Sequence, residues 1–458
     1  MSNASDHIIS LMLICLPIMP WLISSRGVQN GWLHPRRFFS AVWLFYCVLP
    51  IIALFDVPID PMGVLWILVC ILAFNLGSIT FDLSISLRPK STERRVVKRA
   101  FSEEASRLLR NLMLLCLVLG FCSGIVLLLH GIHSFSSSLS ARTFMADARY
   151  YSVERYSVTG YREPILSTFF SIFIYAGAGA GGVLYASTDR RRLRLLALFP
   201  CLPALFVTTI LTTRATLLFT GASWVACYCA TSAFLGKDTL SHLNFRLITT
   251  VFLAVALFFP LYAFFQSMRE GLVPSVAFFE NMIGSLAASV LGYLPAFTTW
   301  FSSYWAHSTP LQWGAYTFCW IYRILGLHPF MVKHLPIPVG SSFTNIYTFF
   351  RGTVEDFGLC GTIVIFFLYG VFFSFVFFKV IRGKLLYGPL LGIFYAYTLC
   401  SLVGNMFSYT VIIGCWILVY MLFIYLHRLR AVRNILTKKT TSRISRILAG
   451  ITTAARVG

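Results

Sequence analysis

The chain has 458 residues, of which 58% are hydrophobic and 12% charged, with a formal net charge of +21. A mean hydropathy of +0.78 excludes a soluble globular domain. Its apolar runs of about 20 residues, in place of ten-residue alternation, exclude a transmembrane barrel. What remains is an all-α polytopic membrane protein, with 1–458 forming a single integral membrane domain.

In chain order, the apolar runs predict helices at 8–24, 38–55, 62–81, 111–130, 165–187, 195–213, 215–235, 247–266, 359–381, 388–404 and 410–426, about eleven in all. Two stretches of mixed polarity interrupt them, 131–164 and 267–358, and a basic tail follows at 427–458. Within the longer stretch, 284–301 reads as a helix lying on or dipping into the membrane.

Basic residues set the orientation. With the C-terminus inside, the inner loops and tail hold 28 of the 37 Lys and Arg but only six of the 16 acids. Every inner loop is then net basic, and the N-terminus falls outside. The positive charge is therefore a topology signal and not a nucleic-acid footprint, although the basic tail and the 88–110 loop suit anionic headgroups. MSNASDH carries no Lys or Arg ahead of the first helix, so it does not read as a cleaved secretory signal.

Arg214 is the only charged residue between Leu195 and Gly236, and falls at the outer tip of a predicted helical hairpin. It reads either as an interfacial side chain that snorkels to headgroups or as a fixed cation facing an anionic ligand. The first outer loop crowds Arg142, Arg149, Arg155 and Arg162 among four tyrosines, a mixture suited to sugar rings and phosphate or to internal ion pairs. The second closes with SSFTNIYTFFRGTVEDFGLCG (341–361), bringing Asn345, Thr348, Arg351, Glu355 and Asp356 just before a helix expected near Leu359. The two acids suit a general base, or simply charge the start of that helix favourably.

Other signals are weaker. AGAGAGG (176–182) lies inside an apolar span and reads as close helix packing rather than a nucleotide loop. His130 and His133 lack a third ligand nearby. The twelve cysteines lie almost wholly within spans, so no structural disulfide is expected.

Thr213-Arg214, Asn345-Ile346-Tyr347-Thr348 and Asp356-Phe357-Gly358 with Gly361 resemble the motifs of the bacterial oligosaccharide repeat-unit polymerase family (O-antigen polymerase, Wzy-type). The resemblance covers the layout of roughly residues 100–380, while the matching motifs amount to some 20 residues. It implies a GT-C-like inner-membrane enzyme whose two larger loops are periplasmic. The implied reaction moves a polysaccharide from undecaprenyl diphosphate onto the terminal sugar of an incoming lipid-linked repeat unit, without metal or other cofactor.

On this resemblance Arg214, then Arg269, then Arg351 contact the diphosphate. Glu355 or Asp356 is the base, with His307, His328 and His334 as competitors. Asn345 and Thr348 bond sugar or backbone, and Arg142 and Arg162 guide the polymer. The implied partners are undecaprenyl-diphosphate-linked oligosaccharide, membrane lipid and a chain-length regulator protein. Two alternatives share the layout. One is a polysaccharide ligase or other lipid-linked glycosyltransferase, for which the loop histidines supply no clear motif. The other is a lipid-linked oligosaccharide flippase, for which the sequence offers neither internal repeats nor mid-span charges.

Overall fold

A computed structural model describes residues 2–24, 31–86, 101–131, 163–211, 213, 215–237, 287–288, 290–306, 310–327, 337–339, 342–404, 406 and 409–430. These form a helical bundle. Its helices are α1 (Ser2–Ser24), α2 (Pro35–Ala53), α3 (Pro61–Ser86), α4 (Glu103–Gly131), α5 (Ile165–Ser187), α6 (Arg191–Leu196), α7 (Cys201–Leu211), α8 (Ala215–Leu235), α9 (Tyr293–Ala306), α10 (Cys319–Ile324), α11 (Phe349–Ile381) and α12 (Gly388–Cys400), followed by α13 (Thr410–Arg430). Eight helical stretches among the described residues are long and apolar enough to cross a membrane. The expected helix at 247–266 lies outside the described residues.

Polarity is distributed as lipid solvation requires. The outward faces carry Met12, Leu16, Leu76, Val118, Leu129, Leu368 and Met421, all more than half exposed. In water such a surface would be an aggregation liability. Polar side chains turn inward and bond across helices instead. Asn75 of α3 pairs with Ser40 of α2, Ser123 of α4 with Ser167 and Ser171 of α5, and Ser374 of α11 with Ser78 of α3.

Two packing units meet in the middle. On one side α3 runs against α11, flanked by α1, α2 and α9; on the other α5 lies between α4 and α8, with α12 packed on α8. Small residues permit the closest crossings. A Cβ at Gly77 would overlap the Phe367 carbonyl, and one at Gly370 would overlap the Phe74 carbonyl, so α3 and α11 touch backbone to backbone. The Ala176–Gly182 run is likewise wholly buried, and Gly182 abuts the Trp224 carbonyl of α8.

Several boundaries differ from the apolar pattern. α4 starts at Glu103 rather than near 111, because Ser102 Oγ accepts the Ala105 N–H and two acids occupy the first turn. The span expected at 195–213 is bent, with α6 and α7 joined through 197–200. The Ala197 carbonyl there accepts from the Trp224 indole, which satisfies a backbone group at the bend. The helix expected at 284–301 is α9. It buries Tyr293, Leu294, Phe297 and Phe301 and packs on α2 and α3. A two-stranded hairpin, β1 (Ile337–Val339) with β2 (Ser342–Thr344), was not expected.

The two ends of the bundle differ. One gathers basic chain ends. Arg190 pairs with Glu103 at 3.3 Å, Arg194 with Asp189 at 2.7 Å, Lys237 Nζ donates to the Ala186 carbonyl, and Arg430 covers the Phe234 ring. The other end is tied by side-chain hydrogen bonds to backbone carbonyls and to Asp60. The His7 ring nitrogens lie 2.8 and 2.9 Å from the Ile51 and Val57 carbonyl oxygens. Tyr293 donates to the Tyr46 carbonyl, and Ser302 to Asp60.

Candidate functional site

The site lies at this second end, where α11 enters the bundle. Its first turns are FFRGTVEDF, and they bury Phe349, Phe350, Thr353, Val354 and Asp356. Phe349 N–H donates to the Ser401 carbonyl, fixing the start of α11 to the end of α12. Helix α11 is interrupted at Gly358, whose φ of 67° and ψ of −175° are non-helical. That region is essentially reserved for glycine. A helix expected near Leu359 is therefore present, but with a further nine-residue helical segment ahead of the break.

The break has a consequence for backbone bonding. The Glu355 and Asp356 carbonyls accept N–H groups from another segment, Gln312 at 3.0 Å and Trp313 at 3.1 Å. The loop 310–318 then wraps around the Asp356 side chain, which is 0% exposed. Tyr316 N–H donates to Oδ1 at 3.0 Å and Thr317 N–H to Oδ2 at 2.6 Å. Trp313 and Gly314 at positive φ make that wrap possible. Asp356 thus spends both carboxylate oxygens on holding a loop.

Glu355 is placed differently. Its Oε1 accepts from Arg351 Nε at 3.0 Å, one helical turn away, with side-chain exposures of 14% for Arg351 and 11% for Glu355. The guanidinium lies against two rings, 4.2 Å from the Tyr347 centroid and 5.0 Å from that of Trp300. Both contacts are within cation–π range. Tyr316 also interacts with the Glu355 carboxylate. Burial, then the Glu355 charge, pushes the Tyr316 phenol up to about 12, so it stays a hydrogen-bond donor. Burial also raises the Tyr347 phenol, against the opposing pull of Arg351. Glu355 Oε2 is buried without a hydrogen-bond partner among the described residues, as is Thr348 Oγ1.

Of the residues singled out in the sequence, Arg351 and Glu355 come together directly, with Asp356 beside them. Thr348 is buried at the cap position of α11, with no side-chain capping bond. Asn345 is exposed just after β2. Arg142, Arg162, Arg214 and Arg269 lie outside the described residues, as do His307, His328 and His334. The flank of Arg214 is described: Phe219, in the second turn of α8, meets Tyr409 at 5.2 Å. Tyr409 follows the 401–404 turn that holds Phe349, so the start of α8 shares this end of the bundle.

Sequence reasoning missed Trp300 and Tyr316, which reach the pair from α9 and from the 310–318 loop. Gly314, preceding an Ala-Tyr-Thr run, was the one local sign of a tight turn there. No protein-family model matches the chain, and no curated protein or solved structure matches it either.

Proposed function

We propose that the protein polymerises lipid-linked oligosaccharide repeat units, transferring a growing glycan from undecaprenyl diphosphate to the terminal sugar of an incoming unit. The observation that carries this reading is the Arg351–Glu355 pair. It is mostly buried, ringed by Tyr316, Tyr347 and Trp300, and sits at the end of the bundle away from the gathered basic residues. A carboxylate beside aromatic rings at the edge of an apolar bundle suits a reaction between sugars on lipid tails.

In the proposed step an acceptor hydroxyl attacks the anomeric carbon of the donor. The new C–O bond forms as the bond to the diphosphate oxygen breaks. Glu355 Oε2 takes the hydroxyl proton, and undecaprenyl diphosphate departs as the anion. Asp356 is the poorer base, since both of its oxygens already accept backbone N–H groups. Arg214 and Arg269 are the proposed cations for the leaving diphosphate, where preorganised positive charge stabilises the transition state. The same reading places the protein in the bacterial inner membrane with this end periplasmic, and gives it a chain-length regulator as a protein partner.

The test is purified protein in liposomes supplied with an undecaprenyl-diphosphate-linked repeat unit. A product ladder spaced by one repeat unit is the expected result. A single transfer to a different acceptor would make the protein a ligase. Movement of the lipid-linked sugar between leaflets with no new bond would make it a transporter.

A further inference from the structure

Arg351 is a poor diphosphate ligand in this setting. Its charge is neutralised at 3.0 Å by Glu355, and Tyr347 and Trp300 lie against its guanidinium. An incoming diphosphate would have to displace Glu355, with Asp356 as a second negative charge beside it. Stranding a buried carboxylate in this way is costly.

Two oxygens of the cluster are left open. Glu355 Oε2 and Thr348 Oγ1 are buried oxygens with no partner among the described residues. A diphosphate ester, ionised at neutral pH, has only acceptor oxygens to offer a carboxylate. A sugar hydroxyl donates. The surrounding rings complete the fit. Trp300 and Tyr304 stand 5.1 Å apart on consecutive turns of α9, both half-buried. Tyr316 and Tyr347 reach the same pair from two loops. The half-buried rings of Trp300, Tyr304 and Tyr316 suit the C–H face of a pyranose, while its hydroxyls turn to the polar groups.

Resting on the polymerase reading, we infer that Trp300, Tyr316 and the Arg351–Glu355 pair seat the neutral terminal sugar of the acceptor, with the buried Tyr347 ring backing the guanidinium, and that the donor's diphosphate is held elsewhere. Trp300 and Tyr316 are then specificity-determining residues. Arg351 is a positioning residue that holds Glu355 aimed at the acceptor hydroxyl.

The experiment is equilibrium binding to the full chain in nanodiscs, with two probes. One is the repeat-unit oligosaccharide released from its lipid. The other is undecaprenyl diphosphate carrying no sugar. Trp300→Leu is expected to weaken oligosaccharide binding roughly five- to tenfold, the scale of one aromatic contact. It should leave undecaprenyl diphosphate binding within about twofold and raise the KM for acceptor more than it lowers kcat. Tyr316→Phe keeps the ring, guards against a folding defect, and should weaken the oligosaccharide alone by a smaller factor. Loss of undecaprenyl diphosphate binding with the oligosaccharide unaffected would overturn the inference, as would a wild-type protein that binds no oligosaccharide. Oligosaccharide binding that depends on Trp300, in a protein that forms no polymer ladder, would support the sugar seat and sink the polymerase reading.

Discussion

The backbone N–H of Thr317 donates to Asp356 Oδ2 at 2.6 Å across 39 positions of sequence. With the neighbouring Tyr316 N–H on Oδ1, it makes one carboxylate the organiser of the loop that carries Tyr316 to the Arg351–Glu355 pair. Asp356→Ala strands two buried N–H groups, each costing about 1–3 kcal/mol. A loss of about 2–6 kcal/mol is expected, read as a lowered melting temperature in detergent and as new chymotryptic cleavage at Trp313 or Tyr316. Asp356→Asn keeps one acceptor oxygen and should lose roughly half as much. An Asp356→Ala protein with an unchanged melting temperature and an uncut loop would show that the loop is held by something else.

Gly358 is the second organiser. Its non-helical backbone, at φ 67°, leaves the Glu355 and Asp356 carbonyls free to accept from Gln312 and Trp313. Gly358→Ala meets Leu311 only at ordinary contact distance, so the penalty comes from the backbone, at about 1–3 kcal/mol. Gly221→Ala is the control. A Cβ there touches nothing within 4 Å, and its helix α8 is otherwise regular. It should be neutral or gain up to about 1 kcal/mol. Equal melting shifts for the two variants would mean that the break at Gly358 carries no strain.

These two residues mark where the sequence stopped being informative. Apolar runs located the long helices because lipid solvation acts on each span separately and leaves a local signal. They placed the start of α4 too late because four of its first eight residues are charged, and the Ser102 cap starts the helix ahead of the apolar run. They missed the first segment of α11 because Arg351, Glu355 and Asp356 interrupt its hydropathy. The Arg351–Glu355 spacing of four is a helical pairing signal in its own right, obscured once the stretch was read as loop. Trp300 and Tyr316 left no such trace. They belong to the site through tertiary contacts from segments 35 to 55 residues away, and a single sequence does not encode those contacts locally.

The α3–α11 crossing sets the floor beneath the site. Gly77 and Gly370 each face a carbonyl of the opposite helix, and Ser374 donates to Ser78 at 2.7 Å beside them. Because backbone cannot yield as a side chain can, Gly370→Ala should separate the helices and cost about 1–3 kcal/mol, the scale of overpacking. Ser374→Ala should cost only about 0.6 kcal/mol, the mean for a hydrogen bond between membrane helices. Thermal melts of the two variants side by side give the order. Ser374→Ala proving the worse would point to the hydrogen bond, not backbone approach, as the main contact.

The Arg351–Glu355 pair separates folding from chemistry. Arg351→Ala leaves a mostly buried carboxylate without its counter-charge, and removing one partner of such a pair typically costs about 3–5 kcal/mol. Lost activity in that variant would therefore be uninformative. Replacing both partners with apolar groups of similar volume, Arg351→Met with Glu355→Leu, removes the charge and its penalty together. The double variant should melt within about 1 kcal/mol of the wild type. If Glu355 accepts the acceptor proton, this well-folded protein should extend no polymer in the liposome assay at any pH, whereas Glu355→Asp should retain a reduced rate. A double variant that builds the ladder at the wild-type rate would remove Glu355 from the reaction and leave the pair as packing alone.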